Sequence, residues 1–113
     1  MNEDTLSMVF SALADPTRRA ILQRLARGDA SVTELAQPFD MTVRAISKHV
    51  AILERAGLVV RGKDAQRRPS RLELTPLQEV DTWLETYRGM WEGRFDRMGA
   101  ALGQLKRDKE RRK

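Results

Sequence analysis

The sequence predicts a mainly α-helical protein with one small β-hairpin. Apolar residues recur at spacings of three and four in short segments before residue 57, which is the helical period. The period then changes to two on either side of a polar, basic loop, as in a hairpin. A last stretch, 76–105, returns to the helical period without an internal proline. These observations predict four short helices, a hairpin and one long helix.

The first two helices are predicted from an apolar stripe and a start signal. The stripe of helix one, from about Asn2 to Ala14, consists of Leu6, Val9, Phe10 and Leu13. Asp15 and Pro16 then form a helix start, because the carboxylate can cap free N–H groups and proline fits the first turn. Helix two buries Ile21, Leu22 and Leu25. Gly28 is expected to stop it.

Helices three and four are predicted from their caps. Ser31 and Glu34 have the spacing of a capping box, and Pro38 limits the short helix that follows. Thr42 can cap helix four, which Gly57 ends. The apolar positions of helix four are Ile46, Val50 and Leu53.

A hairpin is predicted between residues 58 and 74. Its first strand is the apolar run 58–60, and its second is the alternating run 71–74. The stretch between them is polar and basic. Two tightly connected helices followed by such a hairpin predict a winged helix-turn-helix.

The long C-terminal helix is predicted from Thr75 and Pro76, a second cap and proline start. From Pro76 to Leu105 it would measure about 45 Å, too long to be covered by so small a domain. We therefore expect residues 1–105 to form one winged helix-turn-helix DNA-binding domain that includes a dimerisation helix, 76–105. The apolar-free segment 106–113 is expected to be a basic disordered tail.

Composition excludes several function classes. The absence of cysteine rules out disulfides, thiolate metal sites and cysteine nucleophiles. One histidine, no phosphate-cradling glycine loop and no clearly buried carboxylate pair argue against an enzyme, and no cofactor is expected. Apolar runs are too short for a membrane span, and the acidic N-terminus is unlike a signal peptide, so a cytoplasmic location is expected. The net charge of +5 favours an anionic partner such as nucleic acid.

Double-stranded DNA is the predicted partner because helix four presents a basic face opposite its apolar one. Arginine at the start of such a helix can bond two acceptors of guanine, and basic residues on the hairpin can lie along phosphates. For His49 we leave two interpretations open, a phosphate donor or a boundary residue bonded to a backbone carbonyl. The predicted DNA-binding residues are Thr42, Val43, Arg44, Ser47, Lys48 and His49 on helix four and Arg61, Lys63, Arg67, Arg68 and Arg71 on the wing.

A homodimer is predicted because Leu77, Leu84, Trp91 and Met98 recur every seven residues along the long helix. Packing of its first half on helix one of the same chain is the alternative, with a small-molecule pocket among the aromatic residues as a further one. The predicted dimer residues are Leu6, Val9, Phe10, Leu77, Val80, Leu84, Tyr87, Trp91, Phe95 and Met98.

Three stretches, 13–22, 33–36 and 46–59, resemble the ArsR family of winged-helix repressors. The run from Ser47 to Val59 is the most specific of them. The resemblance implies a homodimer that binds a palindromic operator and represses transcription. The segment 83–98 is similar to a non-metal-sensing, SdpR-like subgroup, which suggests regulation by protein level or by an effector of unknown kind.

Metal sensing is not expected from this resemblance. One class of the family carries a Cys-x-Cys pair on helix three, and the aligned positions here are Ser31 and Thr33. Another class places histidine ligands on the last helix, and 76–105 contains no histidine. The competing hypothesis is a protein-interaction module that docks through the long helix without specific DNA binding.

Overall fold

The computed structural model describes residues 3–62 and 69–111, without the side chains of 95, 96 and 107–111. The chain forms two compact units, Met1–Val80 and Asp81–Lys113. The elements, in chain order, are α1 (Glu3–Leu13), α2 (Pro16–Leu25), α3 (Val32–Ala36), α4 (Val43–Arg55), β1 (Val59–Arg61), β2 (Ser70–Leu72) and α5 (Thr75–Arg111). The predicted fold class, mainly α with a small hairpin and a long last helix, is confirmed.

The predicted helix caps are present at α2, α3 and α4. The Asp15 carboxylate accepts from the Arg18 N–H at 3.0 Å. Ser31 and Glu34 exchange both bonds of the capping box. Thr42 Oγ1 accepts from an α4 N–H at 3.1 Å. Because each cap satisfies donors that the helix itself leaves free, the starts of three helices are determined by local sequence.

Gly57 ends α4 in a Schellman motif. Its φ of 79° lies in the left-handed region that favours glycine. The Gly57 N–H donates to the Glu54 carbonyl at 3.0 Å, and the Leu58 N–H donates to the Leu53 carbonyl at 3.0 Å. Leu58 and Leu53 are both fully buried, so the motif turns the chain from α4 directly into the hairpin.

A single apolar core holds the first unit together. It is built from the inward faces of α1 to α4 and from β1, and Leu77 and Val80 at the start of α5 pack against it. Its fully buried large side chains include Val9, Ile21, Leu35, Ile46, Val50, Leu53, Leu58 and Val59.

The hairpin is an antiparallel pair with Val59 opposite Leu72 and Arg61 opposite Ser70. Ala30, ahead of α3, adds an isolated bridge to Ser70. This bridge ties the hairpin to the helices. The predicted basic tip, 63–68, lies outside the described residues.

The long helix differs from the prediction at both ends. Thr75 is the first helical residue rather than the cap, and its hydroxyl donates to the Glu73 carboxylate at 2.8 Å. At the other end α5 continues to Arg111, past the predicted end of the dimerisation helix at Leu105, and the disordered tail stays a prediction. Lys, Arg and Glu are good helix formers, and an absence of apolar residues does not by itself end a helix. With 37 residues, α5 is about 55 Å long.

Candidate nucleic-acid interface

The candidate interface is built on α4, an amphipathic helix with one buried apolar face and one exposed polar face. Ile46, Val50 and Leu53 are fully buried and attach the helix to the core. Arg44 and Lys48, on the opposite side of the helix, are exposed. A helix anchored in this way presents its polar side as a rigid surface, which a recognition helix requires.

The N-terminal end of α4 combines one apolar and one charged exposed side chain. Val43 is 46% exposed, and Arg44 beside it is exposed as well. Thr42 is also exposed, and its hydroxyl oxygen is occupied by the cap. Ser47 is half-buried one turn further along. The helix therefore offers a guanidinium fork and a branched apolar side chain at the end that enters a groove in helix-turn-helix proteins.

Arg61 occupies a different place from the one predicted for a phosphate-binding wing residue. Its Nη2 donates to the Ser47 carbonyl at 3.3 Å, and its Nε lies 3.7 Å from a Glu54 carboxylate oxygen. The guanidinium therefore braces β1 against α4, and its assignment as a free phosphate contact is corrected. The strand carries this side chain back over α4 because β1 follows the helix through the tight turn at Gly57.

Arg71 is the wing cation that the described residues leave exposed. It lies on β2 opposite Val60, which is 40% exposed. Lys63, Arg67 and Arg68, the other predicted wing residues, lie outside the described residues.

His49 is half-buried on the flank of α4. Its Nδ1 lies 3.3 Å from Nη1 of Arg18 and 3.8 Å from a carboxylate oxygen of Asp15. The second interpretation does not fit these contacts, because a side chain rather than a backbone carbonyl faces Nδ1, and the first, a phosphate donor, stays a prediction. Sequence reasoning missed Arg18, since its partner is 31 residues away and no local pattern links them.

Electrostatics at the α1–α2 corner favour an ionised Asp15. The backbone N–H of Arg18 is the main cause that lowers the pKa of Asp15 below 3.8, and the charge of Arg18 adds to it. The carboxylate is therefore an acceptor under physiological conditions.

Nine of the ten predicted dimer residues fall into three groups. Val9 is fully buried inside the chain, so it serves the core and its assignment to the interface is corrected. Leu6, Leu77, Val80 and Leu84 are half-buried. The exposed members are Phe10, Tyr87, Trp91 and Met98. The side chain of Phe95 lies outside the description.

Comparison with known proteins identifies the family. A helix-turn-helix domain profile matches residues 13–61. The transcriptional regulator Rv2034 of Mycobacterium tuberculosis is 40% identical over 78 residues, which are 69% of this chain and 73% of that protein. The solved structure of an ArsR family transcriptional regulator, RHA00566, is 42% identical, with a TM-score of 0.75, and the match covers 81% of this chain and 95% of that one. The chain belongs to the ArsR family.

Two further relatives place it among DNA-binding regulators. The transcriptional repressor SdpR of Bacillus subtilis is 34% identical over 79 residues, 70% of this chain and 88% of that protein. An ArsR-like regulator from Rhodococcus sp. RHA1 has a TM-score of 0.69 and is 33% identical, covering 90% of this chain and 92% of that one. This ArsR-family protein is a winged helix-turn-helix, DNA-binding transcriptional regulator, and the interaction-module alternative is not supported. No helix within the described ranges is long and apolar enough to cross a membrane.

Proposed function

We propose that this ArsR-family protein is a homodimeric repressor that binds a palindromic operator. In this proposal α4 of each protomer enters the major groove, and the wing follows the adjacent phosphates. The observation that carries the proposal is α4 itself, a helix fixed by three fully buried residues with exposed Arg44 and Lys48 on its outer side. Repression is proposed because the relative SdpR is a transcriptional repressor. Because chromosomal DNA is the proposed ligand, the cytoplasm is the proposed location.

Base reading is assigned to the start of α4. Arg44 can donate two bonds to guanine, and exposed Val43 can contact the methyl group of thymine. Lys48 and the wing residue Arg71 supply sequence-independent contacts to phosphates. Lys63, Arg67 and Arg68 are proposed to extend the same phosphate contact along the wing.

Dimerisation is assigned to α1 and α5, which makes 1–105 the functional domain. At 100° per residue, the exposed large apolar residues of α5 and half-buried Leu84 fall within a stripe about 120° wide. The stripe, called here the α5 stripe, comprises Trp83, Leu84, Tyr87, Met90, Trp91, Met98, Leu102 and Leu105. So much exposed apolar surface on one side of a helix favours a partner. A protein of the same fold, Mb0332 of Mycobacterium bovis, is described as homodimeric. It is 24% identical to this chain, with a TM-score of 0.59.

Control of the repressor is proposed not to use metal. Ser31 and Thr33 stand at the positions where, by the resemblance, one class of the family carries its Cys-x-Cys thiolates. Added zinc, cadmium or arsenite should leave the DNA affinity unchanged in a gel-shift titration. Stoichiometric release of DNA by one of these metals at low concentration would contradict this assignment.

The proposed function is tested by selecting bound sequences from a random DNA pool with the full chain. We expect an inverted repeat whose half-sites are about one helical turn apart, bound by two protomers. Affinity should fall steeply with salt, because phosphate contacts release counterions. Selection of no common sequence, or binding of a single protomer to a single half-site, would contradict the proposal.

A further inference from the structure

Arg18 connects the end of α1 to the flank of α4. Its Nε donates to the Ala12 carbonyl at 2.7 Å, and its Nη2 donates to the Ser11 carbonyl at 3.0 Å. Its Nη1 faces Nδ1 of His49 at 3.3 Å. One guanidinium thus satisfies the C-terminal end of α1 and a ring nitrogen of α4 at the same time.

The chemistry of this contact determines the form of the histidine. A guanidinium has only donors and stays protonated, so Nδ1 must be the acceptor. A neutral imidazole that accepts at Nδ1 carries its hydrogen on Nε2. Asp15 is 3.8 Å from Nδ1, too far for a hydrogen bond, and it already accepts from the Arg18 N–H. Within 3–62 and 69–111, no group bonds Nε2.

The ring lies next to the exposed side of α4. His49 directly follows Lys48 and sits between the core face and the exposed face. Its side chain keeps 20% of its surface exposed. Part of this side chain is therefore open to solvent beside the exposed face of α4.

We propose that Arg18 is a positioning residue for DNA binding that acts through His49. Arg18 holds the imidazole in the form whose Nε2–H donates to a DNA phosphate beside α4. The inference rests on the proposed use of α4 as the DNA-reading helix. In this arrangement Arg18 supports the proposed phosphate contact of α4 from the end of α1, the helix that we assign to the dimer interface.

Arg19 provides a matched control for this proposal. It belongs to the same corner, and its Nη1 donates to the Leu13 carbonyl of α1 at 2.7 Å. Within the part of the chain that the structure describes, no hydrogen bond joins Arg19 to His49. Arg18→Gln and Arg19→Gln therefore each remove a cation and at least one bond to the end of α1, but only Arg18→Gln removes the contact with α4.

The first measurement is the affinity of the full chain for its selected operator. We expect Arg18→Gln and His49→Phe each to weaken binding about tenfold, the scale of one lost charge-assisted hydrogen bond. Arg19→Gln should change it less than threefold, about the limit of a neutral surface change. His49→Gln should restore part of the affinity, because its amide can accept from Arg18 and donate with its Nε2.

The double variant Arg18→Gln/His49→Phe separates positioning from loss of structure. If Arg18 acts through His49, the double variant should bind no more weakly than His49→Phe alone. Losses that multiply, or an equal loss in Arg19→Gln, would overturn the proposal.

The second measurement observes the His49 ring by NMR in the protein without DNA. His49 is the only histidine, so long-range ¹⁵N–¹H correlation of the labelled protein reports one ring. The neutral form of the ring should carry its hydrogen on Nε2, and Arg18→Gln should shift the Nδ1 resonance while Arg19→Gln leaves it in place. A hydrogen on Nδ1 in the unaltered protein would overturn the inference even if DNA binding is normal. Failure of the unaltered protein to bind any DNA would instead remove the proposed function.

Discussion

Arg44 stands exposed near the start of α4, whereas Arg61 reaches back from β1 to the Ser47 carbonyl. Both are arginines in a basic region of the sequence, yet their surroundings give them different tasks. Arg44 is free to bond a base, while Arg61 holds the wing against the helix. Arg18 adds a third task, because it bonds two carbonyls of α1 and a ring on α4. The role of a cation in this protein is decided by what lies within about 4 Å of it.

Arg44→Ala should compress the specificity of DNA binding. We expect a loss of about 1–3 kcal/mol on the operator and little change on random DNA, because a base contact is lost and phosphate contacts remain. Affinities measured on both DNAs over a salt series check this.

Arg71→Ala is the matched control, since Arg71 is exposed on the wing. It should weaken both DNAs alike and flatten the salt dependence by about one unit. The double variant Arg67→Ala/Arg68→Ala should act in the same direction by about two units. If Arg44→Ala behaves like Arg71→Ala, Arg44 clamps a phosphate, and base reading belongs to other residues at the start of α4.

Asp15 should make stability depend on pH at the acid end. Its pKa is lowered in the folded chain, chiefly by the Arg18 N–H, so its stabilising effect is fully present above the unfolded value near 3.8. That effect is lost as the pH falls through the lower folded value. Thermal unfolding followed from neutral to strongly acidic pH should show a shallower acid loss for Asp15→Asn.

Asp40→Asn serves as the comparison, because Asp40 is exposed and has no partner in the part of the chain that the structure describes. An acid limb that is the same for Asp15→Asn and the unaltered chain would show that the cap contributes nothing through its charge.

At the scale of the elements, short-range chemistry accounts for most of the helix boundaries. The Ser31–Glu34 box begins α3, and Gly57 ends α4 with a φ of 79°. These signals are readable from sequence because each involves residues three to five positions apart. The start of α5 is different, since the Glu73 carboxylate accepts from both the N–H and the hydroxyl of Thr75. A carboxylate two residues before a threonine competes with that hydroxyl for the capping role.

Thr42→Ala should lower the free energy of unfolding by about 1 kcal/mol, because the Ala45 N–H loses its capping oxygen. Thr42→Ser keeps a hydroxyl at the same place and should retain most of the stability. Chemical denaturation of the DNA-free protein measures both. Equal stability of the alanine and serine variants would mean that the cap of α4 contributes nothing to the free energy of unfolding.

At the scale of the whole molecule, the first unit closes its own core, but the α5 stripe leaves large side chains exposed. Met90 is 61% exposed and Leu105 is 65% exposed. Exposed apolar surface of this extent favours burial against another molecule. A second copy of the chain is the proposed cover.

Leu84→Glu/Trp91→Glu should convert the dimer to monomers in sedimentation, because two charges would be placed in an apolar seam. Thr82→Glu/Ala100→Glu is the matched control, since both positions are exposed and lie on the face of α5 away from the stripe, about 140° around the helix from its middle. It should leave the dimer intact. Dimers that persist in the first variant would place the seam elsewhere, and monomers in both would indicate a general effect of added charge.

The sequence by itself determined the order of the elements, the caps at Asp15, Ser31 and Thr42 and the buried face of α4. Each of these follows from spacing within one or two helical turns, where the backbone geometry is the same in every protein. The family was also readable from sequence, because the run from Ser47 to Val59 combines the reading helix with its Gly57 stop.

Only the tertiary structure decided which side chains are buried and which cations are bonded within the chain. Val9 and Phe10 are neighbours in one stripe, yet the first is fully buried and the second is 39% exposed. Arg61 folds onto α4, and Arg18 meets His49 from 31 residues away. These contacts depend on how helices cross and on where the hairpin returns. Packing brings together residues whose separation along the chain carries no pattern, so no spacing rule could have predicted them.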